Sequence, residues 1–225
     1  MDVQPFPSDW QTALVLVAHP DDPEYGVGAA VAKWTDAGKT VKYALASRGE
    51  VGIAGMPPEQ AGPLREGEQR RSAAIVGVDD VSFWDFPDSD IRDTPELRAK
   101  IAETIVAVRP DVVVTLYSGP SWAPGAPNQR DHIEFAHAVA AAYDSLPDPP
   151  GWLFENGPDP THCEVVDGYT DLAVSSLAAH EVYLSVLDPQ TSPVVEQARK
   201  QVEMSTPALP GFGERTVGFI LKRHH

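Results

Sequence analysis

The stretch Ala13-Leu14-Val15-Leu16-Val17-Ala18-His19-Pro20-Asp21-Asp22 decides the fold. An unbroken aliphatic run reads as a strand covered on both faces, the pattern of parallel sheets. An imidazole and two carboxylates follow it within four residues, His19 to Asp22. In an open parallel sheet, ligands bind outside the carboxyl ends of the strands, where these side chains are expected to lie. An acidic turn that merely caps the next helix needs one Asp. It leaves His19 and the second carboxylate without a purpose. A His and an Asp this close suit a metal such as zinc, with the remaining Asp free to act on a water that the metal activates.

Outward from this stretch, strand and helix patterns alternate. Strands are expected near 13–18, 40–46, 81–86, 111–116, 163–167 and 216–221. Helices are expected near 24–37, 64–76, 95–108, 129–146, 170–186 and 193–204. Gly38 and Gly77 stop the first two helices and Arg109-Pro110 the third. Such alternation predicts βαβ units, and therefore an α/β, Rossmann-like open sheet, mostly parallel, with helices on both faces. A length of 225 residues fits a single domain over 1–225. Right-handed crossovers place the first three strands in order on one side and the fourth on the other side of the first. The switch point then falls between the first and fourth strands. It brings Gln129-Arg130-Asp131-His132, after the fourth strand, to the crevice that holds His19.

His19, Asp22 and His132 would supply two imidazole nitrogens and one carboxylate oxygen, the donor set of a catalytic zinc site with one position left open. Ferrous iron or cobalt fits the same donors, whereas magnesium and calcium prefer oxygen alone. Asp21 is expected to act as general base, and Asp131 to orient a ligand imidazole. His137 lies five residues beyond His132, off the ligand face of a helix, and reads as structural. His162 and His180 stand alone, either lining the cleft or serving as ordinary loop and helix histidines.

Composition narrows the function classes. A formal net charge of −16 repels polyanions, so nucleic acid and anionic membrane surfaces are poor partners. No apolar stretch is long enough to span a bilayer. The first residues lack the basic and apolar regions of a signal peptide. The lone Cys163 permits no intrachain disulfide and fits a reducing compartment, so a cytoplasmic location is expected. The 22 prolines cluster in loops, notably 120–127 and 147–160. The loops 48–63, 119–128 and 147–162 are expected to set the substrate. A homo-oligomer is compatible with all of this.

The constellation resembles the LmbE/PIG-L family of zinc-dependent N-deacetylases, which act on N-acetylglucosaminyl conjugates. The family's A-H-P-D-D motif stands here as Ala18 to Asp22, followed by Glu24, Gly26 and Gly28. A second block resembles Arg65-Glu66-Gly67-Glu68, Ala73-Ala74 and Val76-Gly77-Val78, and a third, H-x-D-H, resembles Gln129 to His132. The resemblance covers about residues 11–135, with a weaker echo at Leu177-Ala178-Ala179-His180. It implies zinc on His19, Asp22 and His132, catalysis by Asp21 with Asp131 and Gln129, and a small-molecule aminosugar or glycoconjugate as substrate. Arg65 then contacts substrate, unless it forms a surface ion pair with Glu68. Glu24, Trp122 and His180 are further substrate-side candidates, with Trp122 as a platform for a sugar ring. The chain departs from the family at Gln129, where a His is common. Gln can donate a hydrogen bond but cannot titrate. Val182-Tyr183 likewise replaces a frequent Ser-Gln.

Two other readings compete. A metal-binding or regulatory homologue that has lost turnover would account for Gln129. A nucleotide-dependent oxidoreductase would account for the sheet, but Gly26-x-Gly28-x-x-Val31 lacks the third Gly and Asp21 and Asp22 would face the pyrophosphate.

Overall fold

The computed structural model describes residues 2–189 and 193–225. In chain order its elements are β1 (Gln4–Pro5), β2 (Thr12–Val17), α1 (Asp22–Gly26), α2 (Gly28–Asp36), β3 (Thr40–Leu45), α3 (Pro58–Ile75), β4 (Asp80–Phe83), α4 (Pro95–Val108) and β5 (Val112–Thr115). The second half adds β6 (Ser121–Ala123), β7 (Ala126–Pro127), α5 (Arg130–Asp144), β8 (Trp152–Glu155), β9 (His162–Val165), α6 (Thr170–Ala178), α7 (Glu181–Leu187), α8 (Val194–Ser205) and β10 (Thr216–His224).

Eight strands form one sheet in the order β1-β9-β10-β8-β5-β2-β3-β4, and β6 and β7 form a separate hairpin. The segment β5-β2-β3-β4 is parallel and has the predicted order, with the switch point between β2 and β5. Strand β2 is buried from Ala13 to Val17, as its aliphatic run requires. The right-handed crossovers put α2 and α3 on one face, where α6 packs against both, and carry α4 and α5, packed on each other, to the opposite face. Phe6, Trp10, Trp34, Phe154 and Phe219 form an aromatic cluster that ties the segment after β1 to the sheet.

Four expectations need correction. Helix α3 starts at Pro58, inside the loop expected over 48–63 and six residues before the expected start of that helix. The loop predicted over 147–162 contains a strand, β8, paired in parallel with β5 and antiparallel with β10. The helix expected over 170–186 is two helices, broken where Ala179 and His180 leave the helical path. The helix expected from Glu24 to Ala37 is also two, parted at Val27.

Candidate metal centre and active site

The crevice at the switch point holds His19, Asp22, Asp131 and His132. Asp22 opens α1, and its Oδ2 accepts from the backbone N–H groups of Ala18 at 3.1 Å and His19 at 2.8 Å. This folds the carboxylate back over the end of β2 and turns it toward α5. There its Oδ1 lies 3.1 Å from His132 Nε2, and its Oδ2 lies 3.6 Å from His19 Nδ1. His132 sits in the first turn of α5, and its ring centroid is 5.4 Å from that of His19. The opposite nitrogen of His19, Nε2, is 3.1 Å from Asp131 Oδ2 and 3.4 Å from Asp88 Oδ1.

The donor set fits a transition metal. Ligand atoms of His19, Asp22 and His132 lie within 4.8 Å of one another. Both ring nitrogens of His132 are buried without a hydrogen-bond partner among the described residues, despite the nearby carboxylate. A buried imidazole normally satisfies at least one nitrogen. A ligand ion would supply the missing partner. The arrangement at Nε2 of His19 matches a carboxylate that orients a metal-binding imidazole. A second group, His19, Asp88 and Asp131, is equally compact. It has only one imidazole, and Asp88 Oδ2 is already occupied by the Val51 N–H at 2.9 Å.

The electrostatics of the cluster are strongly coupled. Burial alone depresses the His19 pKa, but contacts with Asp131 and Asp22 and the charge of Asp88 outweigh it and raise it to about 10. Burial likewise disfavours ionised Asp22, and the neighbouring His132 and His19 override it, holding that carboxyl well below its usual range.

Asp21 is turned the other way. It precedes α1 with φ 91°, a left-handed conformation that is uncommon for a residue with a side chain. The adjacent carboxylates of Asp21 and Asp22 therefore face different partners. Asp21 Oδ1 accepts from Arg65 Nη2 at 3.0 Å, and the same guanidinium donates to Pro20 O at 2.6 Å and Gly49 O at 3.2 Å. Burial raises the Asp21 pKa to about 6, against the pull of Arg65. The Arg65 guanidinium also lies 3.9 Å above the Tyr183 ring, on α7.

The remaining candidates divide by burial. Arg65 is 2% exposed and Glu68 is fully buried. They do not form the surface ion pair considered from sequence, since Glu68 Oε1 accepts from Val182 N at 2.7 Å. Glu24 and His180 were expected on the substrate side. They are 1% and 0% exposed and lie beneath Asp21, with His180 Nε2 3.3 Å from Glu24 Oε2. Neither is open to solvent. Trp122 lies on the β6–β7 hairpin, 38% exposed, with its ring 5.3 Å from Tyr117 and its Nε1 donating to Asn128 Oδ1 at 3.1 Å. Gln129 precedes α5 with an exposed side chain that makes no cap; its backbone N–H donates to Asn128 Oδ1 at 2.9 Å and its carbonyl accepts from the Ile133 N–H at 3.2 Å. His137 is exposed, and His162 lies on β9 against Phe154, 5.2 Å between centroids.

Sequence reasoning missed Asp88 and Gln69. Asp88 is one of several acidic residues in a Pro-containing loop, and nothing in its spacing sets it apart. Gln69 donates from Nε2 to Glu24 Oε1 at 2.9 Å and accepts from the Asp21 N–H at 2.8 Å. It occupies the same face of α3 as Arg65, four residues earlier, and that spacing was the available signal.

Comparison with known proteins follows the same lines. The family model described as GlcNAc-PI de-N-acetylase, PIG-L, matches residues 14–143, more than half of the chain. A diacetylchitobiose deacetylase of Thermococcus kodakarensis is 34% identical over 148 residues, covering 64% of this chain and 54% of its own. A probable N-acetyl-alpha-D-glucosaminyl L-malate deacetylase 2 of Bacillus anthracis is 30% identical over 142 residues, covering 60% of each. The chain thus spans between half and two thirds of the length of these relatives. In three dimensions it is similar to the N,N'-diacetylchitobiose deacetylase of Pyrococcus horikoshii, with a TM-score of 0.82 at 17% identity over 95% of this chain and 84% of that one. It is also similar to GalB, the 4-carboxy-2-hydroxymuconate hydratase of Pseudomonas putida, with a TM-score of 0.68 at 19% identity over 96% and 97%. The two solved structures establish the fold, and the motif-bearing stretch establishes the lineage: the chain belongs to the GlcNAc-PI de-N-acetylase (PIG-L) family.

Proposed function

We propose that this protein is a metal-dependent N-deacetylase that hydrolyses the acetamide of an N-acetylglucosamine-type aminosugar or glycoconjugate. One observation carries the reading: adjacent carboxylates are turned apart, Asp22 toward two imidazoles and Asp21 toward a guanidinium. His19, Asp22 and His132 would hold the ion, and their mixed nitrogen and oxygen donors suit zinc, with ferrous iron or cobalt as substitutes. When bound, such an ion polarises the acetyl carbonyl and acidifies a water.

The chain's own residues supply the rest. Asp21 takes a proton from the water as its oxygen adds to the carbonyl carbon, and passes it to the amine nitrogen as the C–N bond breaks. A pKa of about 6 leaves that carboxylate ionised at neutral pH yet basic enough to accept the proton. Arg65 fixes its orientation. Asp131 holds His19 through Nε2. Gln129, exposed at the mouth, offers a neutral hydrogen bond to the acyl oxygen or the leaving amine. Trp122 provides an exposed apolar face for a sugar ring. Similarity of the chain to deacetylases of aminosugars supports this choice of substrate class. No helix among the described residues is long and apolar enough to cross a membrane.

The test is amine release from N-acetylglucosamine, diacetylchitobiose and N-acetylglucosaminyl conjugates. Activity is expected to stop with a chelator, return with zinc, and need neither nicotinamide nor ATP. Chelator-insensitive activity, or a metal-loaded protein inert toward every N-acetyl aminosugar, would overturn the proposal. The second outcome combined with stoichiometric metal would favour the regulatory homologue.

A further inference from the structure

Beneath Asp21 runs a chain of buried polar groups that the reaction itself does not use. The Asp21 N–H donates to Gln69 Oε1 at 2.8 Å, and Gln69 Nε2 donates to Glu24 Oε1 at 2.9 Å. Glu24 Oε2 faces His180 Nε2 at 3.3 Å. Gln69, Glu24 and His180 are each at most 1% exposed. A backbone N–H can only donate, so Gln69 turns its Oε1 to Asp21 and its Nε2 to Glu24, the one workable orientation of the amide. The backbone it grips is the one that needs gripping. A non-glycine residue at positive φ costs on the order of 1–3 kcal/mol and persists only where its surroundings enforce it. Asp21 O is held from the other side by the Glu24 and Tyr25 N–H groups, both at 3.0 Å.

We propose that Gln69, oriented by Glu24 against His180, is a positioning residue that holds the Asp21 peptide in its left-handed conformation and so keeps the Asp21 carboxylate turned away from Asp22. In an ordinary helical or extended conformation, the Asp21 side chain leaves Arg65 and swings toward the metal ligands. Glu24 and His180 then act on the reaction through Gln69 and not through substrate. The catalytic half of this inference rests on the deacetylase reading; the conformational half does not.

The experiment therefore has two arms. The first is amide hydrogen exchange at the Asp21 N–H, measured by NMR on the full chain without substrate. Gln69→Leu is expected to speed exchange there roughly tenfold or more, the equivalent of one lost buried hydrogen bond, with α3 and β2 amides unchanged. The second is steady-state kinetics. Gln69→Leu is expected to lower kcat roughly tenfold, with KM and metal content unchanged. The same substitution made in Asp21→Asn protein is expected to cost nothing further, because the residue it positions is already disabled. Q69E alone sets two carboxylates face to face and is expected to be as damaging. Q69E combined with E24Q restores every donor–acceptor pair in the chain and is expected to recover kcat to within a few-fold.

Unchanged exchange at Asp21 in Gln69→Leu overturns the proposal. So does an equal rate loss in the Asp21→Asn background, or no recovery in the double variant. If the wild-type protein hydrolyses no acetamide, the deacetylase reading fails and the exchange arm alone decides the conformational inference.

Discussion

Replacing Arg65 by Met perturbs the floor of the site at its most connected side chain. Arg65 is 2% exposed and donates to Pro20 O, Gly49 O and Asp21 Oδ1. Met keeps much of the volume of the stem and offers no donor. Each abandoned carbonyl loses a hydrogen bond of about 1 kcal/mol, and the carboxylate loses a charge-assisted bond of about 2 kcal/mol. The expected destabilisation is about 4 kcal/mol, equivalent to a fall in Tm of roughly 8–16 °C for a chain of this size. A carboxylate forced to stay charged would cost more, but Asp21 escapes by taking a proton. Its folded pKa, about 6 against an ordinary 3.8, is raised further when the guanidinium is gone. Because that folded pKa is raised, stability linked to the Asp21 proton is fully present below 3.8 and is lost as the pH rises through about 6. Arg65 offsets this loss only while the carboxylate is ionised. The gap between wild type and Arg65→Met should therefore widen by about 1–2 kcal/mol from pH 5 to pH 8. Urea unfolding of the metal-free proteins at both pH values, followed by circular dichroism, measures it. A gap below about 1 kcal/mol at pH 8, or one that does not change with pH, refutes the reasoning.

Other outcomes follow from the same geometry. His132→Ala and Asp22→Ala should each lose stoichiometric metal, whereas Asp131→Asn, which only releases His19, should weaken affinity roughly 10–100-fold, as elemental analysis and chelator competition will report. Trp122→Ala should raise KM for an aminosugar roughly three- to tenfold at unchanged kcat, and an unchanged KM would remove the indole from substrate binding. Gly49→Ala should destabilise by about 2 kcal/mol or more, since Gly49 has φ 64° and a Cβ there would lie 2.2 Å from Arg65 Nη1; a Tm equal to wild type would contradict this. Burial, and then Glu164, raise the Cys163 thiol pKa, so at pH 8 the thiol stays protonated and unreactive. Ellman's reagent should detect it only after unfolding.

The order of the four strands β5-β2-β3-β4 was legible because its evidence is local and repeated. Aliphatic runs such as Val112 to Thr115 mark buried parallel strands, and crossover handedness then fixes their neighbours. That arithmetic brought His132 to His19 across the switch point. Strand β8 was hidden because Trp152 to Glu155 is four residues long and lies between Pro149-Pro150-Gly151 and Asn156-Gly157-Pro158. Its strand character comes from pairing with β5 and β10, not from any pattern of its own. The break at His180 was hidden for a similar reason, since what ends α6 is burial of that imidazole against Glu24, a residue far away in sequence. The burial of Glu24 and Arg65 was not legible, because charge usually goes with surface. In α3, Arg65, Glu68 and Gln69 are all buried, and each has a hydrogen-bond partner outside that helix, although Arg65 Nε and Glu68 Oε2 find none among the described residues. No single-chain pattern announces such a partner. Asp88 reaches His19 from the loop after β4, and only the register of four strands reveals it.

The placement of the donors on two sides of the switch point has a kinetic consequence. Ala18 to Asp22 carries two of the three candidate ligands on one short segment, and His132 joins them only when β5 pairs with β2. An unfolded or half-folded chain therefore presents a weak bidentate site. On the proposed metal site, tight capture of an ion would wait for the central strand pair to close. The rate at which a refolding chain withdraws zinc from a chromogenic chelator would then measure the closing of that pair, a long-range event otherwise buried inside the overall folding signal. The central pairing of this sheet would thus carry its own clock, readable without any label attached to the protein.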